Sequence, residues 1–287
     1  MDASKYSNTP LVDSILHPTD FTESSLNAFA HALAAAMNAR TELVLLHAGE
    51  ASAPNREWTR MPGVRETLER WGYLENGSPR AAVFAKLAMK VGKVYLKTGN
   101  AYGGIMDYLA RNPVDLIVLA TEGRDGLPAW IRPSLAEKVA LHARTMTLFV
   151  PSQAKGFVSL DDGQVRLQRI LVPFDKLPDP APAITYAVRA AVFSGAERIE
   201  MHLLHAGEPG SIARPDFIER PYLDWRMHYQ PGNPVDSILS AAAELDADMI
   251  VMATQNRDGF LDAFRSSVTQ KVVRGAPCPV LAVPLDM

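Results

Sequence analysis

Two aspartates, four histidines and two matched loops carry the side chains whose types and places could do chemistry. Asp20 and Asp175 each follow a short apolar run, Ile15-Leu16-His17-Pro18 and Ile170-Leu171-Val172-Pro173. A carboxylate there can cap the next helix, hold its own loop, or accept hydrogen bonds from a ligand, and the sequence leaves these open. His47 and His205 close two further apolar runs, where an imidazole more often packs or bonds backbone than binds a metal. His202 and His205 are three apart on a strand, so they face opposite ways and cannot chelate together. His17 reads as a hydrogen-bonded core residue. The loops 120–134 and 253–267 share Arg124-Asp125-Gly126 with Arg257-Asp258-Gly259, Arg132 with Arg265, and Ser134 with Ser267. Each arginine can pair with a neighbouring aspartate to fix a turn or make charge-assisted contacts to an anion. Ser134 and Ser267 stand three residues before Glu137 and Gln270, the spacing of a capping box. The same helix N-terminus can also hold an anion.

These residues come in pairs because the chain repeats. Ile15 to Asp20 returns 155 positions later, Leu45 to Glu50 returns 158 later, and Asp115 to Thr121 returns 133 later. The last offset then holds to Pro151 and Pro284, so the second copy is 25 residues shorter between its second and third blocks. The organisation expected is a first domain over 1–152, a linker over 153–168 and a second, shortened domain over 169–287.

The elements that must position the side chains follow from apolar spacing. Val12–Leu16, Leu43–His47, Val94–Lys97, Leu116–Ala120 and Thr147–Val150 read as strands, and the nearly continuous apolar runs among them as strands buried on both faces. Helices are predicted over 24–38, 101–111 and 134–142, with Leu26, Phe29, Ala30, Leu33 and Met37 forming one stripe. Strands alternating with helices imply an α/β fold in which each copy is an open, mostly five-stranded parallel sheet flanked by helices. The first copy carries an insert over 50–90 with helix candidates at 64–71 and 80–90. Its aromatic residues Trp58, Trp71, Tyr73 and Phe84, with Trp130, read as packing, or as an apolar-ligand or partner site if exposed. The shorter segment of the second copy holds Pro209, Pro215 and Pro221, which break any long helix. The fifth strands are expected at sheet edges, and exposed edges pair. The two copies should therefore join there as an internal pseudo-dimer. A homodimer of two chains is a further arrangement that the sequence does not itself argue for.

Composition narrows the functions. With 47% hydrophobic and 21% charged residues and a net charge of −3, the chain can build cores and has no basic field for nucleic acid. No apolar run is long enough to span a membrane, and the N-terminus lacks a signal peptide's basic start and apolar core. The expectation is a cytoplasmic protein. Cys278 is the single cysteine, which excludes an internal disulfide or a cysteine metal cluster, and its setting reads as a buried, inert thiol. No metal set is predicted.

With Asp20, the Leu-Leu-His close of strand two, Gly99-Asn100, the strand-four block and Ala276-Pro-Cys-Pro-Val-Leu-Ala-Val-Pro284 in view, the sequence resembles the universal stress protein family in its tandem-domain form. The resemblance implies Rossmann-like folds of the adenine nucleotide alpha hydrolase-like kind. It also implies an adenine-nucleotide site (ATP, ADP or AMP with Mg²⁺) built from Asp20, Thr121, Gly123, Arg124, Arg132 and Ser134. The second copy matches at Asp175, Arg257, Arg265 and Ser267. The family's nucleotide-binding loop places glycines where this chain has Ala120, Gly123 and Pro133, and Ala253, Asn256 and Ser266, so one glycine of six is kept. A side chain at such a point fills the space a phosphate needs, and proline also removes a donor. An eroded ATP-binding site follows, with residual binding in the first copy and no cofactor required. Related enzymes carry a Ser-Gly-Gly-x-Asp-Ser loop or a His-x-Gly-His pair, and neither occurs here. The resemblance thus implies a non-enzymatic stress-response protein with at most slow nucleotide hydrolysis. The alternative is a scaffold that binds no nucleotide and uses its clefts or the 50–90 insert for a protein or apolar ligand.

Overall fold

Leu43 to Leu46 is apolar at every position, and each of those side chains has a layer to enter. In the computed structural model, which describes residues 12–22, 24–50, 61–121, 135–154, 156–254 and 268–285, Leu43 and Leu45 face one helical layer while Val44 and Leu46 face the other. The first layer contains α1 (Ser24–Ala39), the insert helices α2 (Val64–Arg70) and α3 (Ala81–Leu87), and α6 (Ala181–Ser194). The opposite layer contains α4 (Ala101–Arg111), α5 (Leu135–Ala143), α7 (Pro234–Glu244) and α8 (Val268–Gly275). A strand covered on both sides has no polar face to spare, which is why its sequence runs apolar without alternation.

Between the layers lies one ten-stranded sheet in the order β3-β2-β1-β4-β5-β10-β9-β6-β7-β8. The first five strands are β1 (Ser14–Pro18), β2 (Glu42–Gly49), β3 (Lys90–Lys97), β4 (Leu116–Thr121) and β5 (Met146–Pro151). The last five are β6 (Arg169–Pro173), β7 (Ile199–His205), β8 (Leu223–Tyr229), β9 (Met249–Thr254) and β10 (Val280–Pro284). Every pairing within each group is parallel. Among the described strands of the sheet, the single antiparallel pairing joins β5 to β10, with Leu148 opposite Leu281. The fifth strands therefore meet as their edge positions imply, and the two copies share one sheet.

Two local readings are corrected. The helix candidate over 80–90 stops at Leu87, because Ala88 takes a left-handed φ of 53° and the Lys90 amide already bonds the Thr41 carbonyl at the start of β3. Leu26 leaves the apolar stripe of α1 and is exposed. The segment joining the copies packs against the first of them. Val158 and Val165 form an antiparallel bridge, and the Phe157 amide donates to His31 Nε2 at 3.1 Å. Trp71 of the insert donates its indole N–H to the Leu160 carbonyl at 2.9 Å. The insert's buried tryptophan is thus a seat for the linker, while Phe84 is 59% exposed.

Candidate functional site

In an open parallel sheet the crevice for a ligand opens where strand order reverses, beyond the carboxyl ends of the two strands that flank the reversal. In the first copy those strands are β1 and β4, and in the second β6 and β9. Asp20 lies two residues beyond β1, and Thr121 is the last residue of β4. The fold therefore sets these two predicted site residues on either side of one crevice. Asp175 and Thr254 hold the matching places in the second.

Asp20 is exposed and organises its own turn. Its Oδ1 accepts from the Thr22 amide at 3.0 Å and from the Thr22 hydroxyl at 2.6 Å. Thr121 is buried, and its carbonyl accepts from the Ser152 amide at 2.8 Å. Asp175 Oδ1 sits 2.7 Å from the amide of Lys176, again within its own loop. Of the roles open to the aspartates, loop-holding is the one their contacts display.

The histidines closing β2 and β7 repeat one task. His47 Nδ1 donates to the Thr19 carbonyl at 2.7 Å, and His205 Nδ1 donates to the Phe174 carbonyl at 3.3 Å. A carbonyl can only accept, so each ring carries a proton on Nδ1. Each bond ties the end of one strand to the loop after its neighbour. The surroundings then differ. In the first copy Phe21 stacks on His47 at 4.0 Å between ring centroids, and His47 stacks on its in-register neighbour Tyr95 at 5.4 Å. Phe21 reaches this place with a φ of 66°, a strained value for an aromatic residue. In the second copy His205 Nε2 meets the Ser211 hydroxyl at 3.0 Å. That hydroxyl also lies 2.6 Å from the Glu208 carbonyl, and a backbone carbonyl stands behind His205 where a nucleophile's base would have a carboxylate. The arrangement fastens a loop.

Sequence reasoning missed Phe21 and Tyr95. The cue for Tyr95 was its place on a strand beside His47, and for Phe21 there was none. Gly123, Arg124, Arg132, Ser134, Arg257, Arg265 and Ser267 lie outside the described residues, as do Trp58 and Trp130. α4 and α7 begin at matching caps after β3 and β8. Asn100 accepts from the Gly103 amide at 3.1 Å, and Asn233, 133 positions later, accepts from the Val235 amide at 2.9 Å.

The core groups behave as their burial dictates. His17 donates from Nδ1 to the Val118 carbonyl at 3.0 Å, its Nε2 is buried without a partner, and burial lowers its pKa to about 4. Burial raises the Cys278 thiol to about 12, which leaves it protonated and inert. No described helix is long and apolar enough to cross a membrane.

Comparison with known proteins matches this architecture. The family model described as the universal stress protein family matches residues 12–151 and 218–284. A curated relative, the universal stress protein in the QAH/OAS sulfhydrylase 3′ region of Thermus aquaticus, is 48% identical over 52 residues. That stretch is 18% of this chain and 38% of the relative. A universal stress protein structure from Archaeoglobus fulgidus superposes with a TM-score of 0.62 at 17% identity, covering 95% of this chain and 98% of that one. A functionally unknown protein from Pseudomonas aeruginosa gives 0.61 at 16% identity, covering 97% and 95%. At such identities the structures show a shared fold. With the family model matching most of the chain in two blocks, this chain belongs to the universal stress protein family.

Proposed function

We propose that the chain is a non-enzymatic universal stress-type protein acting in a stress response, whose first copy retains a weak adenine-nucleotide site and whose second has lost it. The observation that carries this reading is the placing of Asp20 and Thr121 across the β1–β4 crevice, where this class of sheet binds ligands. The loss of five of six phosphate-loop glycines argues for weakness, and retention of Gly123 argues for the first copy. In this reading Arg124 and Arg132 replace lost backbone contacts with charge-assisted ones, Ser134 offers its helix N-terminus, and Mg²⁺ accompanies a triphosphate. A second reading, a scaffold for a protein or apolar ligand, is favoured by the exposed Phe84 on the insert.

Thermal unfolding with and without millimolar ATP, ADP or AMP plus Mg²⁺ decides between them. A ligand at 100 times its Kd adds about 2.7 kcal/mol. An upward shift lost in Arg132→Ala but kept in Arg265→Ala supports the first-copy site. No shift with any nucleotide removes the reading, and phosphate release abolished by a site substitution would make the protein an enzyme.

A further inference from the structure

The edge of the sheet formed by β7 and β8 carries a side-chain cluster within the strands, whereas the crevices open beyond strand ends. Glu200 and His202 come from β7, and Arg226 and His228 from β8. The register sets His202 opposite Arg226 and Leu204 opposite His228, so the two imidazoles meet on the diagonal. His202 Nδ1 lies 2.9 Å from His228 Nε2. On its other side the buried Nε2 of His202 makes no hydrogen bond, and Glu200 Oε2 stands 3.3 Å away. His202 is 1% exposed, whereas Glu200, Arg226 and His228 reach solvent.

The charges around the rings are matched among themselves. Arg226 bonds Glu200 at 3.2 Å and Asp224 at 3.0 Å, and Arg198 adds a contact to Asp224 at 3.1 Å. Burial lowers the pKa of both imidazoles, with the facing ring and Arg226 adding to the effect on His202 and Arg226 to that on His228.

We propose that His202 and His228 form a two-imidazole site for a divalent ion of the zinc, copper and nickel class, with Glu200 orienting His202 from behind. Metal–nitrogen bonds of about 2.0–2.1 Å place two nitrogens about 2.9 Å apart at a right angle and about 3.4 Å apart at the tetrahedral angle. The observed separation falls at the short end of that window, so small ring rotations bring the two lone pairs onto one ion. A histidine that ligates through one nitrogen commonly gives its other N–H to a carboxylate. His202 has that second nitrogen buried, without a hydrogen bond and facing Glu200. Because β8 is the last strand of the sheet, water can complete the coordination. The bound ion would staple this edge strand to β7. The competing account is an N–H···N hydrogen bond from His228 to His202 and no ion.

Titration of the intact protein with Zn²⁺ in a non-coordinating buffer, read by calorimetry, tests the site. The expected result is one ion per chain. Cu²⁺ in its place should show two coupled imidazole nitrogens by electron paramagnetic resonance. Glu200→Gln should weaken Zn²⁺ binding about 10–100-fold, and His228→Ala should abolish it with the metal-free melting curve unchanged. Should alanine disturb the edge, His228→Gln serves the same purpose with a side chain of similar reach. Absence of stoichiometric binding at millimolar Zn²⁺, or binding that survives loss of His228, overturns the proposal and leaves the hydrogen bond.

Discussion

Gln270 donates its side-chain amide to the Glu137 carboxylate at 2.9 Å, and the two residues are the same position of the repeat, 133 apart. They meet where α5 and α8 face each other beside the β5–β10 seam, and both are buried. Arg274 completes the contact with two bonds of 2.8 Å to the same carboxylate, whereas its counterpart in the first copy is Leu141. Identical residues at a pseudo-two-fold axis would set carboxylate against carboxylate. The chain avoids this by keeping the acid in one copy and the amide and cation in the other.

Gln270→Glu restores the like-charge pair and should destabilise the protein by about 2–4 kcal/mol at neutral pH. The loss should shrink in acid, where the two carboxyls can share a proton. Urea unfolding of both proteins at pH 7.5 and pH 5 measures it. Equal stability at pH 7.5 would mean that the seam tolerates two acids.

Stability should also fall with pH through two buried imidazoles. Burial lowers His17 and His31 from 6.5 to about 4. A lowered histidine value means that the unfolded chain takes up protons which the native state refuses. Their contribution is complete above about pH 6.5 and is lost as pH drops towards 4, by about 3 kcal/mol per ring. Denaturant titrations between pH 7.5 and 4.5 should show this slope, shallower by about one proton in His31→Gln.

The linker's docking can be broken at a glycine. Gly163 has a φ of 70°, and a β-carbon there would fall inside the Trp71 indole. Gly163→Ala should cost about 1–3 kcal/mol through overpacking and backbone strain. Protease cleavage between 156 and 168 should accelerate in the variant, and an unchanged cleavage rate would show that the linker does not depend on this seat.

The repeated helix caps offer a test of equivalence. Asn100→Ala and Asn233→Ala each remove an N-cap and should each cost about 1 kcal/mol. The sites lie in separate copies with no shared partner, so the double variant should cost the sum within about 0.5 kcal/mol. Calorimetric melting of the three variants gives the comparison.

Much of the frame was legible because it rests on local chemistry. Continuous apolar runs can only be strands with two covered faces, and the matching blocks at fixed offsets announced two copies. Asn100 and Asn233 sit after glycine at the start of an apolar helical period. β8 was also legible and was missed: Leu223-Asp-Trp-Arg-Met-His-Tyr229 alternates apolar and polar at every position, the period of a half-covered edge strand.

By itself the sequence determined the α/β architecture, the duplication and the edge role of the fifth strands. Each depends on residue type and spacing along one stretch of chain. Only the tertiary structure decided that Glu137 meets its own counterpart, that Phe21 stacks on His47, and that His202 finds His228 rather than His205. The last two join residues whose separation along the chain carries no period, and the first joins residues one repeat apart that meet only because β5 pairs with β10. Sheet register and strand order alone bring them within reach.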